Sequence, residues 1–245
     1  MSGFSQNELL IATVARLLRG CRHVAVGASS PIPAAGALLA RAEAKTPLRV
    51  NVLGSRRHNF FTNGGVELFD CAAEGRIDAF FLGGGQIDGE ANINLVGLGA
   101  YPRTNVRWPG SFGSAYLYYL VPRVILFREE HSRRTLVERV DFISAPGASG
   151  PGVYRPGGPT ALLTGRALFS FDRARRRFRL ESLHPGHTLE EVLDETGFAF
   201  DRADEIPATE GPAAAELALI RGRVRSELCE TYPRFVANLL PESAA

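Results

Sequence analysis

Between residues 5 and 82 helix and strand signals alternate without a break, and that alternation leaves few folds open to the chain. Ser5 followed three residues later by Glu8 is a capping box, in which each side chain satisfies a free backbone N–H at a helix start. Apolar residues at helical spacing then predict a helix over 9–18, which Gly20 stops. Residues 23–27 (HVAVG) form a short strand, and a small-residue turn leads into a second helix after Pro33. A second strand at 48–53 (LRVNVL), a third helix at 64–74 and a third strand at 77–82 (IDAFFL) complete the series. This rhythm predicts an α/β fold, a mostly parallel sheet with crossover helices on its faces.

Beyond residue 82 the pattern is less regular. A helix is expected over 114–120, starting near Pro109, with a fourth strand at 123–127 (RVILF) and a fifth at 139–143 (RVDFI). Residues 144–160 are rich in glycine and proline, a long loop of the sort that carries function in compact proteins. A hairpin of 164–171 and 178–182 around DRARRR follows, then helices over 188–196 and 213–229. No repeat, heptad run or linker interrupts the chain, so one domain over 1–245 is expected.

Composition excludes several classes. Apolar residues make up 45%, charged residues 22%, and the net charge is +2, as in an ordinary globular protein. Apart from RARRRFR at 173–179 the arginines are scattered, without the basic, aromatic-studded stripe that nucleic acid needs, so no nucleic-acid partner is expected. Cys21, Cys71 and Cys229 are odd in number and lack CxxC spacing, which predicts neither a metal site nor disulfides. The N-terminus lacks the pattern of a signal peptide, and no apolar run reaches membrane-spanning length. A soluble cytoplasmic protein with no membrane partner is the expectation.

Three glycines follow the third strand in FFLGGGQIDGEANINLVG, residues 80–97. A dinucleotide fingerprint wants GxGxxG after the first strand and an acidic residue closing the second, which here ends in Leu53. The chain also lacks the GK[ST] of a P-loop. Neither nucleotide motif fits.

The polar segment after the glycines, QIDGEANIN at 86–94, resembles the GxQVDxxGNxN segment of the β-type subunits of family I coenzyme A transferases. PGSFGSA at 109–115 stands where that family carries a second glycine loop. VDFISAPG at 140–147 resembles its VDFITSPG, and PGGP at 156–159 with ALFSFD at 167–172 resembles its GGP…GVFxFD. ESLHPG at 181–186 and TGF at 196–198 resemble its ESLHPGxT…TGF. The segments run in the family's order from residue 86 to 198, and are most similar to the glutaconate coenzyme A transferase and steroid ring-cleaving hydrolase branches.

The resemblance implies a coenzyme A transferase-type α/β fold and a separate α-type subunit, in an αβ or α2β2 hetero-oligomer. An acyl-coenzyme A would be the substrate, with no tightly bound cofactor. A thioester under attack develops an oxyanion, which backbone N–H groups approach closely only where no Cβ intervenes. Gly84, Gly85 and Gln86 are the candidates for that approach, and Gly110 and Gly113 for a second one. Arg56, Arg57 and His58 suit an anion, and Asn92 and Asn94 would brace the loop.

One departure bears on mechanism. The family's transferases attack with a β-subunit glutamate soon after the second strand. Here that stretch reads GSRRHNFF at 54–61, with no carboxylate before Glu67, and Ser55 falls near the glutamate's place. Three sources of the reacting group remain: a carboxylate from the α partner, Ser55 with His58 as its base, or Glu90. The implied activity is transfer of coenzyme A between carboxylic acids. The alternatives are hydrolysis of a thioester or of a cyclic acyl-coenzyme A, and a non-catalytic subunit that binds acyl-coenzyme A or scaffolds its partner.

Overall fold

The computed structural model describes residues 3–239, which fall into two compact units. The first comprises residues 3–71, 76–81 and 210–239 of these, and the second residues 72–75 and 82–209.

The chain opens with α1 (Gln6–Leu17), β1 (His23–Val26), α2 (Pro31–Glu43), β2 (Arg49–Val52), α3 (Gly64–Ala73) and β3 (Ala79–Leu82). β1 pairs in parallel with β2 and with β3, at His23↔Arg49 and Val24↔Ala79. All four residues of β1 and of β3 are buried, which explains why both read as unbroken apolar runs rather than alternating ones. The capping box forms as expected, with Ser5 N–H donating to Glu8 Oε2 at 2.7 Å.

In the second unit β4 (Gln86–Ile87) and β5 (Ile93–Asn94) form a small antiparallel pair, as do β6 (Gly97–Leu98) and β7 (Val106–Arg107). α4 (Ser114–Leu120) leads to β8 (Arg123–Arg128), β9 (Pro159–Thr164), β10 (Ala167–Asp172) and β11 (Arg177–Leu183). α5 (Leu189–Glu195) and β12 (Asp201–Arg202) follow. β8 pairs in parallel with β9 and β11 with β12, while β9, β10 and β11 pair antiparallel. Burial alternates along β10 and β11, which aims Phe169, Phe171, Phe178 and Leu180 inward. Phe178 meets Phe171 edge-on at 4.8 Å and stacks on Phe198 at 5.4 Å, so the TGF motif supplies core packing.

The C-terminal helices belong to the first unit: α6 (Ala214–Leu219), a π-helical turn at 220–224, α7 (Arg225–Leu228) and α8 (Pro233–Leu239). Glu8, 1% exposed, holds Arg221 Nε at 2.6 Å, and Arg41 on α2 holds Glu227 on α7 at 2.7 Å. These pairs lock the C-terminal helices onto α1 and α2 and so place residues 229–232.

Three expectations for the elements are corrected. Residues 139–143 are not a strand: the Asp141 N–H goes to Gln86 Oε1, and those of Ser144 and Ala145 go to Ile93 O. The stretch 159–172 is two strands that turn at Gly165 and Arg166, not a loop end and one strand. The helix expected from Pro109 begins only at Ser114. No helix among the described residues is long and apolar enough to cross a membrane.

Candidate functional site

The candidate residues stand in three loops, one in the first unit and two in the second. In the first unit the chain leaves β2 and turns at Gly54, whose φ of +90° lies in the left-handed region. Ser55 is buried, and its Oγ accepts the N–H of His58 at 2.9 Å and of Arg57 at 3.2 Å. Its own proton goes to Glu230 Oε2 at 2.7 Å, while Glu230 Oε1 accepts the Arg56 N–H at 2.9 Å. The Arg56 amide, the Ser55 hydroxyl and the Thr231 hydroxyl all stabilise the charged form, so the Glu230 carboxyl falls to about 2. Arg56 and Arg57 are exposed.

His58 is 5% exposed and does not offer its ring to Ser55; only its backbone N–H does. Nδ1 faces Arg41 Nη1 at 3.5 Å, so Nδ1 is the acceptor and Nε2 carries the proton, without a partner among the described residues. Burial and then the Arg41 guanidinium lower its pKa, which favours the neutral imidazole. The Ser55 hydroxyl therefore donates to a carboxylate rather than to an imidazole. Glu230 was missed in the sequence because it lies 175 residues from Ser55, in a segment (ELCETY) with no motif of its own.

The second unit carries the glycine loop on the β4–β5 pair. The Gly85 N–H donates to Asn94 O at 3.0 Å. The Gln86 side-chain oxygen accepts Asn94 Nδ2 at 2.7 Å and the Asp141 N–H at 2.9 Å, bonds in which its Nε2 takes no part. Asp88 accepts the N–H groups of Glu90 and Asn92 and the Asn92 side-chain amide, at 3.0–3.1 Å. Asn92 Oδ1 accepts the Gly147 N–H at 3.1 Å, and Asn94 Oδ1 accepts that of Val96 at 2.9 Å. Asn92 and Asn94 thus brace the loop through bonds internal to it and to residue 147. Glu90 is exposed at the loop tip.

Gly85 has a second reason to be glycine. A Cβ there would lie 2.1 Å from the Trp108 ring. Trp108 stands two residues before Gly110, so its indole joins the second glycine loop to the first. Gly110, with φ +107°, has open space around it, and Gly113 precedes α4, where its carbonyl accepts the Leu117 N–H at 3.1 Å. Trp108 is the sole tryptophan, so Gly85→Ala should shift the intrinsic emission by displacing the indole. An unchanged spectrum would show that the ring does not rest on Gly85.

His184, of LHPG, is 2% exposed and tied to Thr209 Oγ1 and Thr164 O, a structural imidazole. A surface depression of about 560 Å³ is lined by Arg175, Arg179, Phe200, Asp201, Arg202 and Asp204. It contains none of the loop residues, and Asp201 already pairs with Arg175 and Arg177 at 2.6 Å. No group of three or more His, Cys, Asp or Glu side chains among the described residues is arranged to hold a metal.

The coenzyme A transferase family model matches residues 7–195. The chain is 35% identical over 153 residues to the β-type subunit of 3-oxoadipate CoA-transferase from Pseudomonas knackmussii, covering 60% of this chain and 58% of that protein. It is 29% identical over 160 residues to the cholesterol ring-cleaving hydrolase IpdB subunit of Rhodococcus jostii RHA1, covering 63% of this chain and 62% of that one. The matching stretch is therefore shorter than two thirds of either relative. Among solved structures, Rhodococcus jostii RHA1 IpdAB superposes with a TM-score of 0.82 over 99% of this chain and 100% of that one, at 23% identity, a likeness of fold.

Proposed function

The chain belongs to the coenzyme A transferase family, and from that premise we propose that it is the β-type subunit of a two-component enzyme acting on an acyl-coenzyme A. The reaction is transfer of coenzyme A between carboxylic acids, with the attacking carboxylate supplied by a separate α-type subunit.

One observation carries the choice of that source. At the place after β2 where the resemblance puts a nucleophilic glutamate there is a serine, and its hydroxyl and the neighbouring amide are bonded to Glu230. A carboxylate stabilised by three donors is a weak nucleophile and a weak base. The same observation favours hydrolysis as the second reading, in which an α-subunit carboxylate activates water in place of an acceptor acid. In either reaction this chain contributes donors to the developing oxyanion. The Gly85 amide is engaged with Asn94, which leaves the Gly84 amide and Gln86 Nε2 as the candidates in that loop.

The test is reconstitution with an α-type subunit and assay of acyl-coenzyme A with and without an acceptor acid. Turnover that needs the acid identifies the transferase; turnover in water alone identifies the hydrolase. Acyl-coenzyme A binding without any turnover would sink both and leave a binding subunit. Ser55→Ala should keep activity within about tenfold. A loss of about a thousandfold, roughly 4 kcal/mol of transition-state stabilisation, with the fold intact, would make Ser55 the reacting group.

A further inference from the structure

The turn between α7 and α8 lies at the carboxyl ends of β1 and β2, where open α/β sheets bind their ligands. It makes two contacts there. Tyr232 Oη accepts the Ser30 N–H at 3.2 Å, in the loop that leads from β1 into α2. Glu230 presents its carboxylate to the loop after β2, accepting the Ser55 hydroxyl at 2.7 Å and the Arg56 amide at 2.9 Å. Thr231 Oγ1 donates to the same carboxylate at 2.9 Å. Glu230 is an exposed residue, so burial does not force it into this position.

We propose that residues 54–57 form a carboxylate-binding nest and that Glu230 is its built-in occupant, which a substrate carboxylate must displace. Backbone N–H groups and hydroxyls aimed at one point make an anion site without any lysine or arginine head group, and one of each reaches the carboxylate from this loop. Here the Arg56 amide points at the carboxylate, and the Ser55 Oγ accepts the Arg57 and His58 amides and so aims its own proton at the same carboxylate. The exposed guanidinium groups of Arg56 and Arg57 add a positive field around it. The low pKa of Glu230 is a further sign of preference, since donors that hold one carboxylate in its charged form will hold another. The Thr231 donor leaves together with Glu230, whereas the Ser55 and Arg56 donors stay with the loop.

Glu230 is then a competitor that sets how strongly the site takes an acid. The identity of the natural ligand, the acid group of the substrate pair, rests on the function proposed above; binding of a simple carboxylate does not.

The experiment is an NMR titration of the full chain, following the Arg56 and Arg57 amide resonances against sodium acetate, with sodium phosphate and sodium chloride at matched ionic strength. In Glu230→Gln, acetate should shift both amides saturably, with an affinity at least about tenfold above that of the unaltered chain. Adding Ser55→Ala should weaken it again. If Glu230→Gln disorders the loop, seen as loss of the His58 ring signals, Glu230→Asp is titrated instead, because it keeps the charge and shortens the reach. Amides that ignore acetate in the ordered variant overturn the nest, and equal acetate affinity with and without Glu230 overturns its role as occupant. A response to phosphate alone overturns the carboxylate assignment. Turnover of acyl-coenzyme A by the reconstituted pair is assayed separately: lost acetate binding with turnover intact removes the nest alone, and the reverse result removes the enzymatic reading alone.

Discussion

Lowering the pH from about 7.5 to about 5 should destabilise the protein by several kcal/mol, through two buried histidines of the second unit. His131 places Nδ1 against Thr164 Oγ1 at 2.8 Å and Nε2 against Thr196 Oγ1 at 3.0 Å. His184 places Nδ1 against Thr209 Oγ1 at 2.8 Å and Nε2 against Thr164 O at 3.0 Å. These hydroxyls and the carbonyl satisfy neutral rings, and among the described residues no carboxylate pairs with either ring to meet the charge of a second proton. Burial, in each case the largest influence, pushes both pKa values from 6.5 to about 4.

The sign follows from where the proton binds. The unfolded chain takes up protons as the pH falls through 6.5, while the folded chain resists until about 4, so stability present above 6.5 is lost on the way down. At pH 5 the loss is about 2 kcal/mol per imidazole, roughly 4 kcal/mol together. That is a large share of the 5–15 kcal/mol typical of a domain. Glu130 and Glu230, each lowered to about 2, lose their contributions only below the usual carboxylate value of 4.5, so the window between 6.5 and 5 belongs to the histidines, with His58, also lowered by burial, adding in the same direction. Urea unfolding at a series of pH values reads this directly. A midpoint that stays constant from pH 7.5 to 5 would contradict the account.

Replacing Gly147 by alanine should remove about 3 kcal/mol or more, because the new methyl has no room and its neighbours are backbone. Its Cβ would lie 2.1 Å from Glu90 O and 2.8 Å from Ala91 C and O. A side chain can rotate away from such a contact; a peptide can move only with the loop that holds it. That loop is fixed by the Asp88 bonds to Glu90 and Asn92, and by Tyr118, whose buried hydroxyl donates to Ala91 O at 2.8 Å. The Asn92–Gly147 bond would go as well, which adds about 1 kcal/mol. Because the same loop carries Gly84 and Gln86, the turnover proposed for the reconstituted pair should fall together with stability. Urea unfolding that shows a loss under about 1 kcal/mol would mean that the two segments are not in contact.

The two halves of the chain were not equally legible. β1 and β3 are buried runs and β2 is buried after its exposed Arg49, and each announces itself within ten residues. Residues 139–143 look like such a run and are not one. Their fate was decided by Gln86, whose side-chain oxygen takes the Asp141 amide from 55 residues away. The motif glycines were legible as a set, but their reasons were not: Gly85 makes room for an indole and Gly147 for a peptide, while its own amide donates to another residue in each case.

The α/β class, the crossover rhythm of the first three strands, the ordered family motifs and the lack of a carboxylate between Leu53 and Glu67 can all be read from the order of residues. These rest on periodicity, capping and spacing, which are local properties of the chain. A carboxylate nevertheless reaches that place in the folded chain, from Glu230, 175 residues along the sequence from Ser55. The physical reason is that Glu8–Arg221 and Arg41–Glu227 pairs fold the C-terminal helices back onto α1 and α2. No window of neighbouring residues contains that closure.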